Sequence, residues 1–294
     1  MGTRSHGCLI AGILGGLAVS AVAVPAAHAG PIRIVAAENF YGDIARQIGG
    51  ADVAVTSILS NPDQDPHEFE ASASTAREIA DARIVIRNGA GYDPWALRLL
   101  SASRSPAREA IDVAKLLHRK DGDNPHLWYD PSAMPALAAA LADTLAKLDP
   151  AHQAGYDRRL YAFRESMEPL EGRIAALRRK YAGTSVTATE PVFGYMADAL
   201  DLAMRNGRFQ LAAMNDTEPA AADIAGFEKD LRTRRVKVLL YNRQAGGALA
   251  GRMRKIAKEA GVPVVGVTET EPAGRDYQEW MVSQLDALDR ALSR

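Results

Sequence analysis

The chain has 294 residues, enough for two lobes of ordinary domain size and more than a single small stapled core requires. With 47% apolar and 24% charged residues, the composition excludes disordered, collagenous and polytopic membrane classes. The 35 basic and 36 acidic residues leave a net charge of −1 with no long run of one sign, so nucleic acid is not an expected partner.

Arg4 gives the chain a positive start, Leu9 to Val24 is apolar and rich in Gly and Ala, and Ala27-His28-Ala29 is a small-x-small site ahead of Gly30. That order is the pattern of a cleaved export signal over residues 1–29. The apolar stretch falls short of the ~20 residues that a spanning helix needs. The only cysteine, Cys8, precedes the apolar stretch and is not placed for lipidation. Removing residues 1–29 leaves 34 basic and 36 acidic residues, a net charge of −2, and no cysteine. A disulfide-free exported chain fits a bacterial periplasm.

The exported part opens with β-branched runs at Ile32 to Ala37, Val53 to Leu59 and Arg83 to Asn88, each closed by Gly, Pro, Asn or Asp. Helical stretches at Tyr41 to Ile48 and Ser74 to Ala82 lie between them, and a further one at Met134 to Leu148 ends at Asp149-Pro150. Alternating strand and helix predicts a mainly parallel sheet covered by helices, an α/β lobe over residues 30–150. Tyr156, Leu160, Phe163, Met167, Leu170, Ile174, Leu177 and Tyr181 then recur at alternating steps of four and three. This places one apolar stripe on a long helix over 151–181, roughly 45 Å at about 1.5 Å per residue. Pro169 and Gly172 interrupt the pattern, and a kink is expected near the preceding turn. Bounded by Pro150 and Gly183 and flanked by α/β patterns, the stripe suits an internal spine better than a dimerising coiled coil, and a monomer is expected.

Residues 182–294 repeat the alternation. Ser185 to Thr189 reads as a strand, Val192 to Ala199 as a helix, Phe209 to Met214 as a short extended run and Pro219 to Thr233 as a helix. Val236 to Tyr241 and Val264 to Thr268 read as further strands separated by a helix from Ala248 to Ala260. The expected architecture is two α/β lobes joined by one long helix, with a cleft between them suited to a ligand.

Of the six histidines, His6 and His28 leave with the export signal. His67 and His126 share a setting, Asp65-Pro66-His67 and Asn124-Pro125-His126, in which proline stiffens the segment that presents the imidazole. A lone Pro-His is common in surface loops; His118 and His152, among charged or helix-boundary residues, read as solvated. Glu190 and Glu269 fall at the carboxyl ends of expected strands, where ligands of open α/β sheets bind. Two imidazoles and two carboxylates would make a mixed nitrogen and oxygen site for a divalent metal, with a formal charge of −2 opposite the ion. The competing roles are an N-cap for Glu190 and an exposed loop charge for Glu269 or Glu271.

The segments Asp65-Pro66-His67-Glu68-Phe69-Glu70, Asn124-Pro125-His126-Leu127-Trp128-Tyr129-Asp130-Pro131, Thr189-Glu190-Pro191-Val192-Phe193-Gly194-Tyr195, Thr217-Glu218-Pro219 and Thr268-Glu269-Thr270, with Tyr277-Gln278-Glu279-Trp280-Met281, resemble in order the metal-binding receptors of ABC importers, the TroA-like zinc and manganese cluster. The resemblance covers nearly the whole exported chain. It implies a metal between two lobes, His67, His126, Glu190 and Glu269 as its ligands, and a membrane permease as partner. Three departures stand out. Asn124 replaces the usual aspartate before Pro-His, glutamate stands at 269 where aspartate is commoner and Glu271 is a rival, and Glu190 occupies a position that is histidine in zinc-dedicated members.

Carboxylate oxygens favour manganese or ferrous iron more than a three-histidine set would, while zinc outbinds manganese at most nitrogen and oxygen sites. The expected cargo is Mn2+ or Zn2+, with Fe2+ possible. A zinc-dependent exported hydrolase is the alternative enzyme reading, but no His-Glu-x-x-His helix, Gly-x-Ser-x-Gly elbow or phosphate-cradling loop is present. A receptor for a small organic solute would use Trp95, Trp128 and Trp280 as stacking platforms, although their settings look more like packing. Catalysis is not expected.

Overall fold

The β-branched runs build two four-stranded parallel sheets of identical order. In a computed structural model, which describes residues 1–3, 30–62 and 64–294, the first half contains β1 (Ile32–Glu38), α1 (Asn39–Gly49), β2 (Val53–Leu59), α2 (Ala73–Asp81), β3 (Ile84–Arg87), α3 (Pro94–Ala102), β4 (Glu109–Asp112), α4 (Val113–Leu116) and α5 (Ala133–Leu148). The long helix α6 (Gln153–Tyr181) follows. The second half contains β5 (Ser185–Ala188), α7 (Gly194–Ala199), β6 (Ala203–Arg205), α8 (Gly207–Met214), α9 (Ala221–Arg232), β7 (Leu239–Asn242), α10 (Ala248–Ala260), β8 (Val264–Val267) and α11 (Tyr277–Leu292). The export signal expected over residues 1–29, with Cys8, lies outside the described residues apart from its first three. No helix among the described residues is long and apolar enough to cross a membrane.

The sheets run β2-β1-β3-β4 and β6-β5-β7-β8, so in each the first strand of the half sits inside, paired in parallel with the second and the third. Every crossover therefore carries a helix or loop from the carboxyl end of one strand back to the start of the next. His67, Glu190 and Glu269 lie in the loops that follow β2, β5 and β8, and Asn242 is the last residue of β7.

α6 is one helix of 29 residues that packs on α5 and α11. Its stripe is buried at Tyr156, Phe163, Met167, Leu170, Leu177 and Tyr181, as the four-and-three spacing requires. Pro169 lies inside the helix and does not end it. It sits on the exposed face, so the carbonyl one turn earlier, at Glu165, has solvent available in place of the lost amide.

One expectation is overturned. Phe209 to Met214 is not extended but forms most of α8. Gln, Leu, Ala and Met favour helix, and Asn206, in the left-handed region at φ 61°, turns the chain into it; only Phe209 and Gln210 are buried, too few for a clear apolar stripe. The strand expected at Val236 begins its sheet pairing only at Leu239 and runs to Asn242, one residue further than its apolar run. β4, β6, α3, α4 and α11 have no counterpart among the elements expected from the sequence.

Candidate metal centre

Asp65 accepts a hydrogen bond from the backbone N–H of His67 at 2.9 Å, and this turn with Pro66 presents the His67 imidazole. His126 is oriented differently. Its Nδ1 lies 2.6 Å from Asn124 Oδ1; an Nδ1–H donating there leaves Nε2 bearing the lone pair that a metal needs. Nε2 is buried and has no hydrogen-bond partner among the described residues. The Asn124 Nδ2 also donates to the carbonyl of Pro191 at 2.8 Å, tying the His126 loop to the loop that carries Glu190.

Glu269 Oε2 lies 3.4 Å from His67 Nε2 and 3.5 Å from His126 Nε2 and accepts a 2.9 Å hydrogen bond from the Tyr92 hydroxyl. Donor atoms of His67, His126 and Glu269 all fall within 4.8 Å of one another, the spacing of ligands around one ion. His126 and Glu269 are fully buried, whereas His67 keeps 30% of its side chain exposed and forms the accessible wall. Burial alone would raise the Glu269 carboxyl, but the two imidazoles hold it well below the ordinary carboxylate range. Burial pushes His67 down, yet the hydrogen bond and charge of Glu269 outweigh it and raise the imidazole to about 9. The metal-free pocket therefore stores a proton beside a carboxylate where a divalent cation would sit.

Glu190 stands just outside this triad. It makes no capping hydrogen bond to the turn at Pro191–Phe193, so the N-cap role fails. Its Oε2 instead accepts from Asn242 Nδ2 at 2.9 Å, and the same nitrogen donates in a short hydrogen bond to Glu269 Oε1. Burial raises the Glu190 carboxyl, the Asn242 hydrogen bond opposes this, and the charge of Glu269 adds to it. A cleft of about 710 Å³, lined by Asp65, His67, Glu190, Glu218 and Gln244 among others, opens onto this side. Among the described residues, no Lys or Arg lines it, as an approach for a cation demands.

Glu271, the rival of Glu269, goes elsewhere. It lines a separate cleft with Asn39, Asp43 and Arg46, and Asn39 grips its backbone by donating from Nδ2 to its carbonyl at 2.7 Å and accepting from its N–H at 3.0 Å. His118 and His152 are at the surface, as expected. Trp95, Trp128 and Trp280 are buried packing residues; the Trp128 ring backs His126 with centroids 5.3 Å apart.

Sequence reasoning missed Tyr92, Asn242 and Gln244. Gln244 Oε1 accepts from the backbone N–H of Glu269 at 2.6 Å and of Thr270 at 3.2 Å, which fixes the loop that presents the carboxylate. The available sign was position: Asn242 follows directly on a strand expected to end at Tyr241, at the same sheet edge as Glu190 and Glu269. Tyr92 carried no such sign, because the turn that delivers it depends on Gly89, at φ 77°, where an added Cβ would strike the Asp112 carboxylate.

Among known proteins, the chain is 24% identical over 285 residues to the zinc-binding lipoprotein AdcA of Streptococcus pneumoniae, covering 88% of this chain but 55% of AdcA, so it spans about half of that relative's length. It is 22% identical over 285 residues to the metal ABC transporter substrate-binding lipoprotein ScbA of Streptococcus cristatus, covering 90% of this chain and 89% of ScbA. Its fold is similar to that of the periplasmic zinc binding protein TroA of Treponema pallidum, with a TM-score of 0.77 at 18% identity over 90% of this chain and 100% of TroA. The family model of the zinc-uptake complex component A, periplasmic (ZnuA), matches residues 34–291, and this chain belongs to that family.

Proposed function

We propose that this chain is an extracytoplasmic receptor that captures one divalent transition-metal ion, zinc or manganese with ferrous iron possible, and hands it to the membrane permease of an ABC importer. The observation that carries the reading is the convergence of two imidazoles and a buried carboxylate, with ligating atoms within 4.8 Å, on loops from both halves of the chain. His67, His126 and Glu269 supply three donors and Glu190 the fourth, its side chain and loop moving in from a position tethered to the same Asn242 amide as Glu269. Family membership supports a binding component of an uptake system rather than an enzyme. Residues 1–29 are the cleaved export signal, 30–150 the first lobe, 151–181 the linking helix and 182–294 the second lobe, and the working unit is a monomer in the periplasm.

Capture and delivery need no bond chemistry: the ion exchanges water for protein donors, displaces the proton held at His67, and leaves when the permease opens the cleft. Calorimetric titration of metal-stripped protein with zinc, manganese and ferrous iron tests this. One tight equivalent per chain is expected, with His67→Ala and Glu190→Ala each weakening it by more than the roughly 10–100-fold that loss of a supporting hydrogen bond costs, while circular dichroism stays native. No tight equivalent of any of the three ions would overturn the reading.

A further inference from the structure

We propose that Asn242 sets which ion this site prefers, by confining Glu190 and Glu269 to one ligating oxygen each and so holding the site at four donors. The inference rests on the four ligands of the proposed receptor. β7 lies between β5 and β8 in the second sheet, so the residue ending β7 stands between the carboxylates that follow its two neighbours. Asn242 is buried, at 3% exposure, and its single Nδ2 serves both: one hydrogen to Glu190 Oε2 at 2.9 Å, the other to Glu269 Oε1. The orientation of the amide is not arbitrary. Its Oδ1 accepts from the backbone N–H of Gln244 at 3.0 Å, and a backbone N–H is a donor only, so the nitrogen must face the carboxylates.

Each carboxylate therefore has one oxygen engaged by the amide. For Glu269 the other oxygen, Oε2, accepts from the Tyr92 hydroxyl at 2.9 Å and faces both imidazoles, so the amide at Oε1 and the phenol at Oε2 together fix the plane of the carboxylate with one oxygen turned to the ion. Single-oxygen ligation from two carboxylates plus two imidazole nitrogens gives four donors, the tetrahedral complement of zinc. Manganese, a harder ion that favours about six oxygen-rich donors, would need both carboxylates to turn and bind through two oxygens, which requires breaking the two amide hydrogen bonds. The presence of two carboxylates, which by itself leans towards manganese, is offset by the residue that holds them.

The test compares wild type with Asn242→Ala in competitive titration with zinc and manganese, and uses cobalt(II) as a spectroscopic stand-in whose visible bands are intense with four ligands and weak with six. Wild type is expected to prefer zinc strongly and to give the intense cobalt spectrum. In Asn242→Ala the ratio of zinc to manganese affinity falls by about tenfold or more, on the scale of a lost supporting hydrogen bond, and the cobalt bands weaken. Asn242→Ser, which retains one donor, falls between them and serves where the alanine variant does not fold. A merely structural role would lower both affinities together and leave the ratio and the spectrum unmoved; that result, or a weak six-ligand spectrum from wild type, overturns the proposal while leaving the receptor reading standing. Failure of wild type to bind any ion overturns the receptor reading itself.

Discussion

Glu38 is a carboxyl that the site does not use. It ends β1 at 1% exposure, and neither of its oxygens has a hydrogen-bond partner from another described residue. Burial, then the nearby charge of Asp93, raises it well above the ordinary carboxylate range, against the weaker pull of Arg87. A carboxyl raised in this way keeps its proton in the folded protein at pH values where the unfolded chain would release it. Its contribution to stability is therefore full at acid pH and declines as pH rises past the unfolded value. Glu38→Gln removes the titration while keeping the shape. Its expected effect is a gain in unfolding free energy at pH 7 that disappears near ~pH 4, where the carboxyl is protonated in both states. Urea unfolding at both pH values decides it: an equal difference at pH 4 and pH 7 would mean that Glu38 is ionised in the folded protein. At this scale His67, His126 and Glu269, which the structure brings together, were legible as candidate donors from their Pro-His and strand-end settings. The amides that orient them, Asn124, Asn242 and Gln244, were not, because an amide carries no chemistry until its neighbours are known.

Elements were legible in proportion to their apolar pattern. α6 and α10 follow from repeated spacing over several turns, β1 and β3 from β-branched runs inside a parallel sheet, and β2 from a β-branched run at its edge. β4 and β6 carry a single β-branched residue, Ile111, between them, so no run marks either strand. α6 also holds the molecule by a polar clasp that its stripe does not reveal. Asp289 of α11 accepts from Tyr181 at 2.6 Å and from Arg173 and Lys180 at 2.9 Å each. These hydrogen bonds, Tyr181 and Lys180 first, hold its carboxyl well below the ordinary carboxylate range. A lowered carboxylate contributes stability that is present above its unfolded value and is lost as pH falls towards its folded one. Asp289→Asn is expected to cost about 1 kcal/mol at pH 7, the scale for a screened charge-assisted group at a surface, and progressively less as pH falls from ~4 towards ~2. A constant cost across that range in acid and denaturant titrations would show that the clasp works through shape, not charge.

The two halves do not close on each other as free lobes. Their buried apolar residues form one continuous cluster that includes Ile34, Ile86 and Trp128 from the first half and Val186, Leu240 and Trp280 from the second. Hydrogen bonds cross between them from Tyr277 Oη to the carbonyl of Trp128 at 2.7 Å, Tyr129 Oη to that of Thr268 at 3.0 Å and Tyr195 Oη to that of Asn124 at 2.7 Å, besides the Asn39 grip on Glu271. Hinge closure through a large angle would open this cluster to water and leave those groups unpaired, whereas drawing Glu190 onto an ion beside Glu269 needs only a side chain and its loop to move. The expectation is a receptor that signals its load by local change. Small-angle scattering of residues 30–294, metal-free and metal-loaded, should give radii of gyration near ~18 Å that agree to within about 0.5 Å. Hydrogen exchange should slow chiefly in the loops carrying His67, Glu190 and Glu269. A contraction of several times that margin would mean that the halves part in the metal-free state and that the shared core forms only on loading.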